Sequence, residues 1–191
     1  MEPSRPPRSI QISLPCTGEE EWQACREPLE SGWLTQGPKV AAFEKAFAER
    51  HQVAHALATT SCTTALHLAL AALGIGPGDE VIVPAFTWIA TANAVLYCGA
   101  TPVFADVRRD TCNIDPADLA RRITPRTKAI IPVHLFGLCA DIDAIRQIVN
   151  SRSSIHNSQI FIIEDAACAS GATYKGTPAG GLGDLAAFSF H

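Results

Sequence analysis

The sequence predicts an α/β fold in which a mostly parallel sheet is covered by helices on both faces. The main observation is an alternation, from residue 54 onward, of apolar runs of strand length with helical stretches of about three turns. The second is composition: 191 residues, 47% hydrophobic and 18% charged, are enough for one buried core of ordinary size.

The N-terminal part is predicted to contain an arm and two helices. Residues 1–13 are rich in proline, serine and arginine and are expected to form a flexible arm ahead of a domain over residues 14–191. A helix is predicted over residues 19–29, where acidic residues in the first turn suit the positive helix end. A second is predicted over residues 39–51, with Phe43 on its apolar face.

Strands and helices are predicted to alternate in the remainder of the chain. The predicted strands cover residues 54–58, 81–83, 102–105, 129–133 and 160–163. The helices between them cover residues 63–73, 90–98, 116–122 and 142–149. Beyond residue 163, closely spaced glycines predict turns before a last apolar run at 185–190. Sheets of this kind bind ligands at the carboxyl ends of their strands.

Composition and residue spacing argue against several classes of protein. The net charge is -4 and the sequence has no long basic run, so it lacks the basic patch that is typical of nucleic-acid-binding proteins. No apolar stretch approaches the ~20 residues of a membrane span, and the first eight residues do not form a signal peptide. The seven cysteines form no C-x-x-C pair and the six histidines show no metal-ligand spacing, so we expect reduced thiols in a cytoplasmic protein without a metal site.

Small hydroxylated residues at 59–64 lie where a predicted strand turns into a helix. Their hydroxyls and the N–H groups of the first helical turn would face one point, which makes an anion site that fits a phosphate. The alternative is plain N-capping, which needs only one serine or threonine. This motif alone does not decide between the two.

A strongly apolar strand delivers two carboxylates, Glu164 and Asp165, to its carboxyl end. A buried aspartate needs a partner there, because an unpaired charge out of water is costly. A protonated pyridine nitrogen is one such partner. A metal-binding carboxylate pair and a helix cap are the alternatives.

Three further features of the sequence give weaker evidence about a binding site. Trp88 follows a predicted strand and could cover the flat face of a cofactor ring, although a lone tryptophan is more often a core residue. Ser189, between two phenylalanines, indicates nothing by itself. The glycines at 74–78 follow a helix and precede a strand, the reverse of the dinucleotide-binding order, and those at 180–183 lack the Lys-Ser/Thr of a phosphate-binding loop. Both glycine clusters are interpreted as turns, which argues against an α/β nucleotide-binding domain of another family.

Taken together, these motifs resemble the DegT/DnrJ/EryC1/StrS family of pyridoxal-phosphate sugar aminotransferases, within the fold-type-I superfamily. The resemblance covers about residues 14–191. The segments that carry it are GWLTQGP at 32–38, TSCT at 60–63, GPGDEVIVP at 76–84, TWIATANA at 87–94, GATPVFADV at 99–107, PVHLFG at 132–137, EDAA at 164–167 and FSFH at 188–191.

The resemblance assigns roles around the ring of pyridoxal 5'-phosphate. It implies that Asp165 pairs with the pyridine nitrogen and that Trp88 stacks on the ring. Cys168 stands where the family usually has glutamine or histidine in contact with the ring's phenolic oxygen.

The resemblance also assigns the phosphate end of the cofactor. It implies that Ser61, Cys62 and Thr63 hold the phosphate at the helix start, while Ser189 reaches it from the other side.

The Schiff-base lysine of the family would lie about three residues beyond the SFH segment, whereas the chain ends at His191. None of the lysines present matches that position; they are Lys39, Lys45, Lys128 and Lys175. We therefore expect a truncated large domain without the C-terminal small domain, inactive on its own.

The resemblance implies that the intact enzyme moves an amino group, with glutamate as donor, to a keto carbon of a nucleotide-linked deoxysugar. It also implies a homodimer at full length. Two alternatives remain open: an inactive module that binds pyridoxal phosphate or phosphate, and amino-cyclitol or aminohydroxybenzoate chemistry on the same scaffold.

Overall fold

The computed structural model describes residues 14–156 and 159–190, so the arm predicted for residues 1–13 lies outside the described residues. The chain divides into two compact units, with the boundary after Phe43. Helix α1 (Glu19–Ser31) belongs to the first unit, and helix α2 (Pro38–His51) runs across the boundary. Both helices were predicted from the sequence, within two residues at each end.

The second unit contains a parallel sheet. In chain order the strands of the described residues are β1 (Glu80–Pro84), β2 (Thr101–Ala105), β3 (Thr127–Ile130), β4 (Phe161–Asp165), β5 (Thr173–Tyr174), β6 (Thr177–Pro178) and β7 (Leu185–Ala187). Five of them form one sheet in the order β2-β1-β3-β4-β7, and every pairing in it is parallel. Strands β5 and β6 form an antiparallel hairpin around Lys175.

Helices cover both faces of this sheet. They are α3 (Cys62–Ala72), α4 (Ala90–Tyr97), α5 (Pro116–Arg122) and α6 (Ile142–His156). Strand β1 is buried on both sides: its Ile82 packs in one core cluster with α5 and α6, whereas the neighbouring Val81 and Val83 pack in another with α3 and α4. Successive strand residues point to opposite faces, so one apolar strand supplies both cores. The predicted fold class is confirmed.

The strand predicted over residues 54–58 is wrong. This segment has no ladder partner among the described residues, and Leu57 within it is 63% exposed. The N–H group of Ala58 donates to the Glu44 carboxylate at 2.8 Å instead of to a neighbouring strand. An apolar run of strand length is therefore not sufficient here, because a strand needs a partner for its backbone groups.

Gly183 provides a test of the packing between the last turn and β4. A Cβ at this position would lie 2.6 Å from the carbonyl oxygen of Ile162, whereas a Cβ at Gly76 would approach nothing closer than 3.8 Å. Gly183→Ala is therefore expected to lower the free energy of unfolding by about 1–3 kcal/mol through overpacking. Gly76→Ala, the matched control, should change it by less than about 0.5 kcal/mol. Urea unfolding measures both, and equal effects would contradict the packing described.

Candidate functional site

Four of the residues singled out from the sequence lie at the edge where the parallel strands end, which we call the carboxyl edge. Asp165 is the last residue of β4, and Cys168 lies three residues beyond it. Trp88 follows β1, and Ser189 follows β7, whose Ala187 is paired with Asp165. Because all these strands are parallel, the sheet delivers the four residues to one side of the molecule.

Asp165 is a buried carboxylate, 4% exposed. Its Oδ2 accepts a hydrogen bond from the Thr91 hydroxyl at 2.7 Å, and its Oδ1 accepts one from the Ala167 N–H at 3.2 Å. No cationic nitrogen among the described residues lies within 4 Å of it. Burial raises the pKa of Asp165 in spite of these two hydrogen bonds. A positively charged donor would relieve the cost of this burial, so the site fits a protonated ring nitrogen.

The start of α3 forms the second part of the site. Ser61 is the N-cap in an extended conformation, and its hydroxyl accepts a hydrogen bond from the Thr64 N–H at 3.1 Å. The helix begins at Cys62, one residue before the predicted start. The first N–H groups of the helix, those of Cys62 and Thr63, have no intrahelical acceptor and lie at its positive end. The cap is compatible with an anion site, because it uses the Thr64 N–H and not those of Cys62 and Thr63.

Cys62 connects the helix start to the end of β4. Burial, and then the charges of Asp165 and Cys168, raise the pKa of the Cys62 thiol to about 12. The thiol is therefore neutral at physiological pH and does not repel an anion at the helix start. Asp165 and Cys168 lie close enough to Cys62 for their charges to raise its pKa, which indicates that the start of α3 lies near the end of β4.

Trp88 is not a core residue, because its side chain is 78% exposed. Its backbone carbonyl accepts a hydrogen bond from the Thr91 N–H at 3.2 Å, and the Thr91 side chain donates to Asp165. Thr91 therefore forms hydrogen bonds with both Trp88 and Asp165. The exposed indole, linked through Thr91 to the buried carboxylate, is available to stack on a flat ring.

The two carboxylates at the end of β4 point in different directions. Asp165 contacts Thr91 of α4, whereas the fully buried Glu164 accepts hydrogen bonds from His134 and from the turn at residues 180–183. They cannot act as a pair of metal ligands, because successive strand residues face opposite sides of a sheet. Within the described residues there is also no group of three or more metal-ligating side chains.

Thr91 is a site residue that the sequence reasoning did not find. Its side chain is fully buried, donates to Asp165 and lies 3.1 Å from the Thr87 hydroxyl. The available signal was its position, since Thr91 lies four residues from Thr87 and therefore on the same face of the turn. The contact with Asp165 spans 74 residues of sequence, and no local pattern reports it.

A parallel sheet with helices on both faces and polar residues at its carboxyl edge is the architecture of the large domain of fold-type-I aminotransferases. The chain belongs to the DegT/DnrJ/EryC1/StrS aminotransferase family, whose sequence model matches residues 15–191. The cofactor of this family is pyridoxal 5'-phosphate. Among the described residues, none of the helices combines the length and the hydrophobicity that a membrane span requires.

The chain is similar to the spore coat polysaccharide biosynthesis protein SpsC of Bacillus subtilis, with 52% identity over 182 residues. It is 50% identical to the GDP-perosamine synthase of Caulobacter vibrioides, also over 182 residues. These matches cover 95% of the chain but only 45% and 47% of the relatives, so the chain spans about half their length.

The chain is also similar to solved structures of aminotransferases and of a related synthase. The PMP form of the Streptococcus pneumoniae protein Spr1654, named as a sugar aminotransferase, superposes with a TM-score of 0.91 at 39% identity. A 3-amino-5-hydroxybenzoic acid synthase superposes with a TM-score of 0.86 at 42% identity. The matches cover 96% and 94% of the chain, and 49% and 46% of the two structures.

The raised pKa of Cys62 leads to a prediction about thiol reactivity. Thiolate is the reactive form, and a pKa near 12 leaves roughly a thousandth as much thiolate at pH 8 as an ordinary cysteine has. Iodoacetamide at pH 8 should therefore label the exposed Cys16 and Cys25 long before Cys62. Peptide mass spectrometry measures this order. Labelling of Cys62 in the folded chain at the rate of Cys16 would contradict the environment described.

Proposed function

We propose that these residues form the cofactor-binding part of an enzyme that transfers an amino group, with glutamate as donor, to a keto carbon of a nucleotide-linked deoxysugar. The observation that carries the proposal is the buried Asp165 carboxylate, which has no cationic partner among the described residues, is linked through Thr91 to the exposed Trp88 and lies near the start of α3. A phosphorylated pyridinium ring supplies what each of the three lacks: a cation, a flat face and an anion.

Each side chain has a distinct task in this proposal. Ser61, Cys62 and Thr63 bind the phosphate through the positive end of α3, and Ser189 binds it from β7. The phosphate is then held between the start of α3 and the residue that follows β7 by two positions.

At the ring, Asp165 keeps the pyridine nitrogen protonated, and Thr91 holds that carboxylate in place. Trp88 covers one face of the ring, and Cys168 lies near its phenolic oxygen. When bound, pyridoxal phosphate supplies the electron sink for the transfer.

The names of relatives support a nucleotide-sugar substrate. One relative is a GDP-perosamine synthase, and a structural neighbour at 31% identity is a GDP-4-keto-6-deoxymannose-3-dehydratase variant with bound GDP-perosamine. A second candidate, aminohydroxybenzoate-type chemistry, is favoured by the 42% identical 3-amino-5-hydroxybenzoic acid synthase. A third is an inactive module that binds the cofactor without turnover.

We further propose a cytoplasmic homodimer for the full-length protein. Large apolar side chains are exposed after β1 and β3, which supports an interface close to the site. They are Phe86, Ile89, Phe136 and Leu138. Sedimentation of the full-length protein would test this, and a monomer at micromolar concentration would contradict it.

A chimaera tests the proposed reaction. Residues 1–191 would be joined to the C-terminal half of the Caulobacter GDP-perosamine synthase, with the intact relative as positive control. Because amino transfer is reversible, GDP-perosamine and 2-oxoglutarate should yield glutamate, and Asp165→Ala in the chimaera should abolish this. A folded chimaera that binds pyridoxal phosphate but forms no glutamate would contradict the proposal.

A further inference from the structure

Glu164 is a buried carboxylate with every acceptor position near a donor. Its Oε2 accepts hydrogen bonds from His134 Nε2 at 2.9 Å and from the Gly180 N–H at 2.7 Å. Its Oε1 accepts from the N–H groups of Leu182 and Gly183, both at 2.7 Å. Burial opposes the ionisation of Glu164, but the hydrogen bonds from His134, Gly180 and Gly183 outweigh it and hold its pKa below the ordinary value. The ionised Glu164 side chain thus binds the backbone of the turn at residues 180–183, which precedes β7.

His134 connects this carboxylate to the backbone of Asp165. Its side chain is fully buried, and its Nδ1 accepts a hydrogen bond from the Ala140 N–H at 3.2 Å. The ring proton therefore lies on Nε2, which donates to Glu164. The backbone N–H of His134 donates to the carbonyl oxygen of Asp165 at 2.9 Å. One residue thus contacts both the Glu164 side chain and the residue that the proposed function assigns to the ring nitrogen.

The turn held by Glu164 sets the register of β7. Immediately after Gly183, the N–H of Asp184 donates to the Ile162 carbonyl at 2.7 Å, and the Asp184 carboxylate accepts from the Ile162 N–H at 2.8 Å. Strand β7 then runs beside β4 with Ala187 opposite Asp165, two residues before Ser189. The position of Ser189 relative to Asp165 therefore depends on where Glu164 holds the turn.

A purely stabilising role accounts poorly for this arrangement. Replacement of buried charged groups by well-packed apolar residues is often neutral or stabilising, so burial of a carboxylate is weak evidence for stability. We propose that Glu164 and His134 form a positioning pair that fixes the spacing between Asp165 and Ser189, and hence between the ring-nitrogen and phosphate ends of the cofactor site. This inference rests on the proposed function. Neither residue contacts the cofactor in this proposal.

The test compares a ligand that spans the site with one that occupies only its phosphate end. Glu164→Gln replaces one acceptor oxygen with a donor, so two of the four donors lose their partner. Pyridoxamine 5'-phosphate, titrated by its own fluorescence, should bind about tenfold more weakly to this variant than to the unaltered chain. Inorganic phosphate, titrated by phosphorus NMR, should change by less than about twofold, because it does not span the two ends.

Matched variants separate positioning from stability. Glu80 is also buried and accepts hydrogen bonds from Thr124 and Arg126, but it lies at the amino end of β1. Glu80→Gln should lower the melting temperature without changing the affinity for pyridoxamine phosphate. His134→Gln retains an N–H donor and a carbonyl acceptor and should keep that affinity within about threefold of the unaltered chain. If Glu164→Gln does not fold, Glu164→Asp, which keeps the charge on a shorter side chain, should show the same selective loss.

Amide hydrogen exchange tests, without any cofactor, whether Glu164 holds the turn before β7. Exchange over residues 180–189 should be faster in Glu164→Gln but not in Glu80→Gln. Equal weakening of both ligands, unchanged pyridoxamine phosphate affinity, or unchanged exchange over these residues would overturn the inference. If the unaltered chain bound neither ligand, the proposed function would fail, and the exchange result alone would decide whether the pair holds the turn.

Discussion

Asp165→Asn is expected to weaken the binding of pyridoxamine 5'-phosphate by about tenfold to a hundredfold, the usual contribution of a hydrogen bond to a charged partner. The fold of the cofactor-free chain should not suffer. An asparagine can accept from the Ala167 N–H through its oxygen and donate to the Thr91 hydroxyl through its nitrogen, so both hydrogen bonds of Asp165 keep a partner. Fluorescence titration and thermal unfolding measure the two effects.

The pH dependence of this variant has a definite sign. Burial raises the pKa of Asp165 above its unfolded value of about 3.9, so the folded chain binds a proton more readily than the unfolded chain. The stability of the unaltered chain relative to Asp165→Asn should therefore fall as pH rises from about 4 through the raised pKa, and stay constant above it. A variant that loses stability at neutral pH but keeps its affinity would contradict the role assigned to Asp165.

Borohydride reduction of the 191-residue chain with pyridoxal phosphate is expected to give no stoichiometric lysine adduct. An attacking amine must be neutral and held beside the aldehyde carbon. The hydrogen bond and charge of Asp143 raise the pKa of Lys175, and Lys39 is paired with Glu27 at 2.6 Å. Lys128 lines a cavity of about 420 Å³ at the amino end of the strands. A lysine of ordinary pKa is less than about a hundredth neutral at pH 7.5.

Peptide mass spectrometry of the reduced protein measures this outcome. The chimaera with the C-terminal half of the Caulobacter relative is the control, and it should gain one adduct per chain on a lysine of the added half. A stoichiometric adduct on Lys175 in the 191-residue chain, with amino transfer, would contradict the expectation.

The sheet and its edge could be predicted from the sequence because their signals are local. The apolar runs at 81–83 and 160–163 lie in β1 and β4, and Asp165 comes two residues after the second run, at the carboxyl end of its strand. The apolar run at 54–58 also predicts a strand, and this prediction is wrong because pairing depends on a neighbour that the local sequence does not contain.

Contacts that support the site were not predictable in the same way. The hydrogen bond from Thr91 to Asp165 and that from His134 to Glu164 join residues 74 and 30 positions apart. Both require the topology of the sheet, which brings β4 beside α4 and beside the segment after β3. The sequence presented Glu164 and Asp165 as a pair, and only the alternation of the strand separates their roles.

The most direct test of the cofactor site is a crystal structure of the chain with pyridoxamine 5'-phosphate. The ring nitrogen is expected within about 3 Å of the Asp165 carboxylate, with the indole of Trp88 stacked on the ring. The phosphate should lie on the first turn of α3, between Ser61 and Ser189. A phosphate bound away from that turn, or a ring nitrogen that does not face Asp165, would contradict the account.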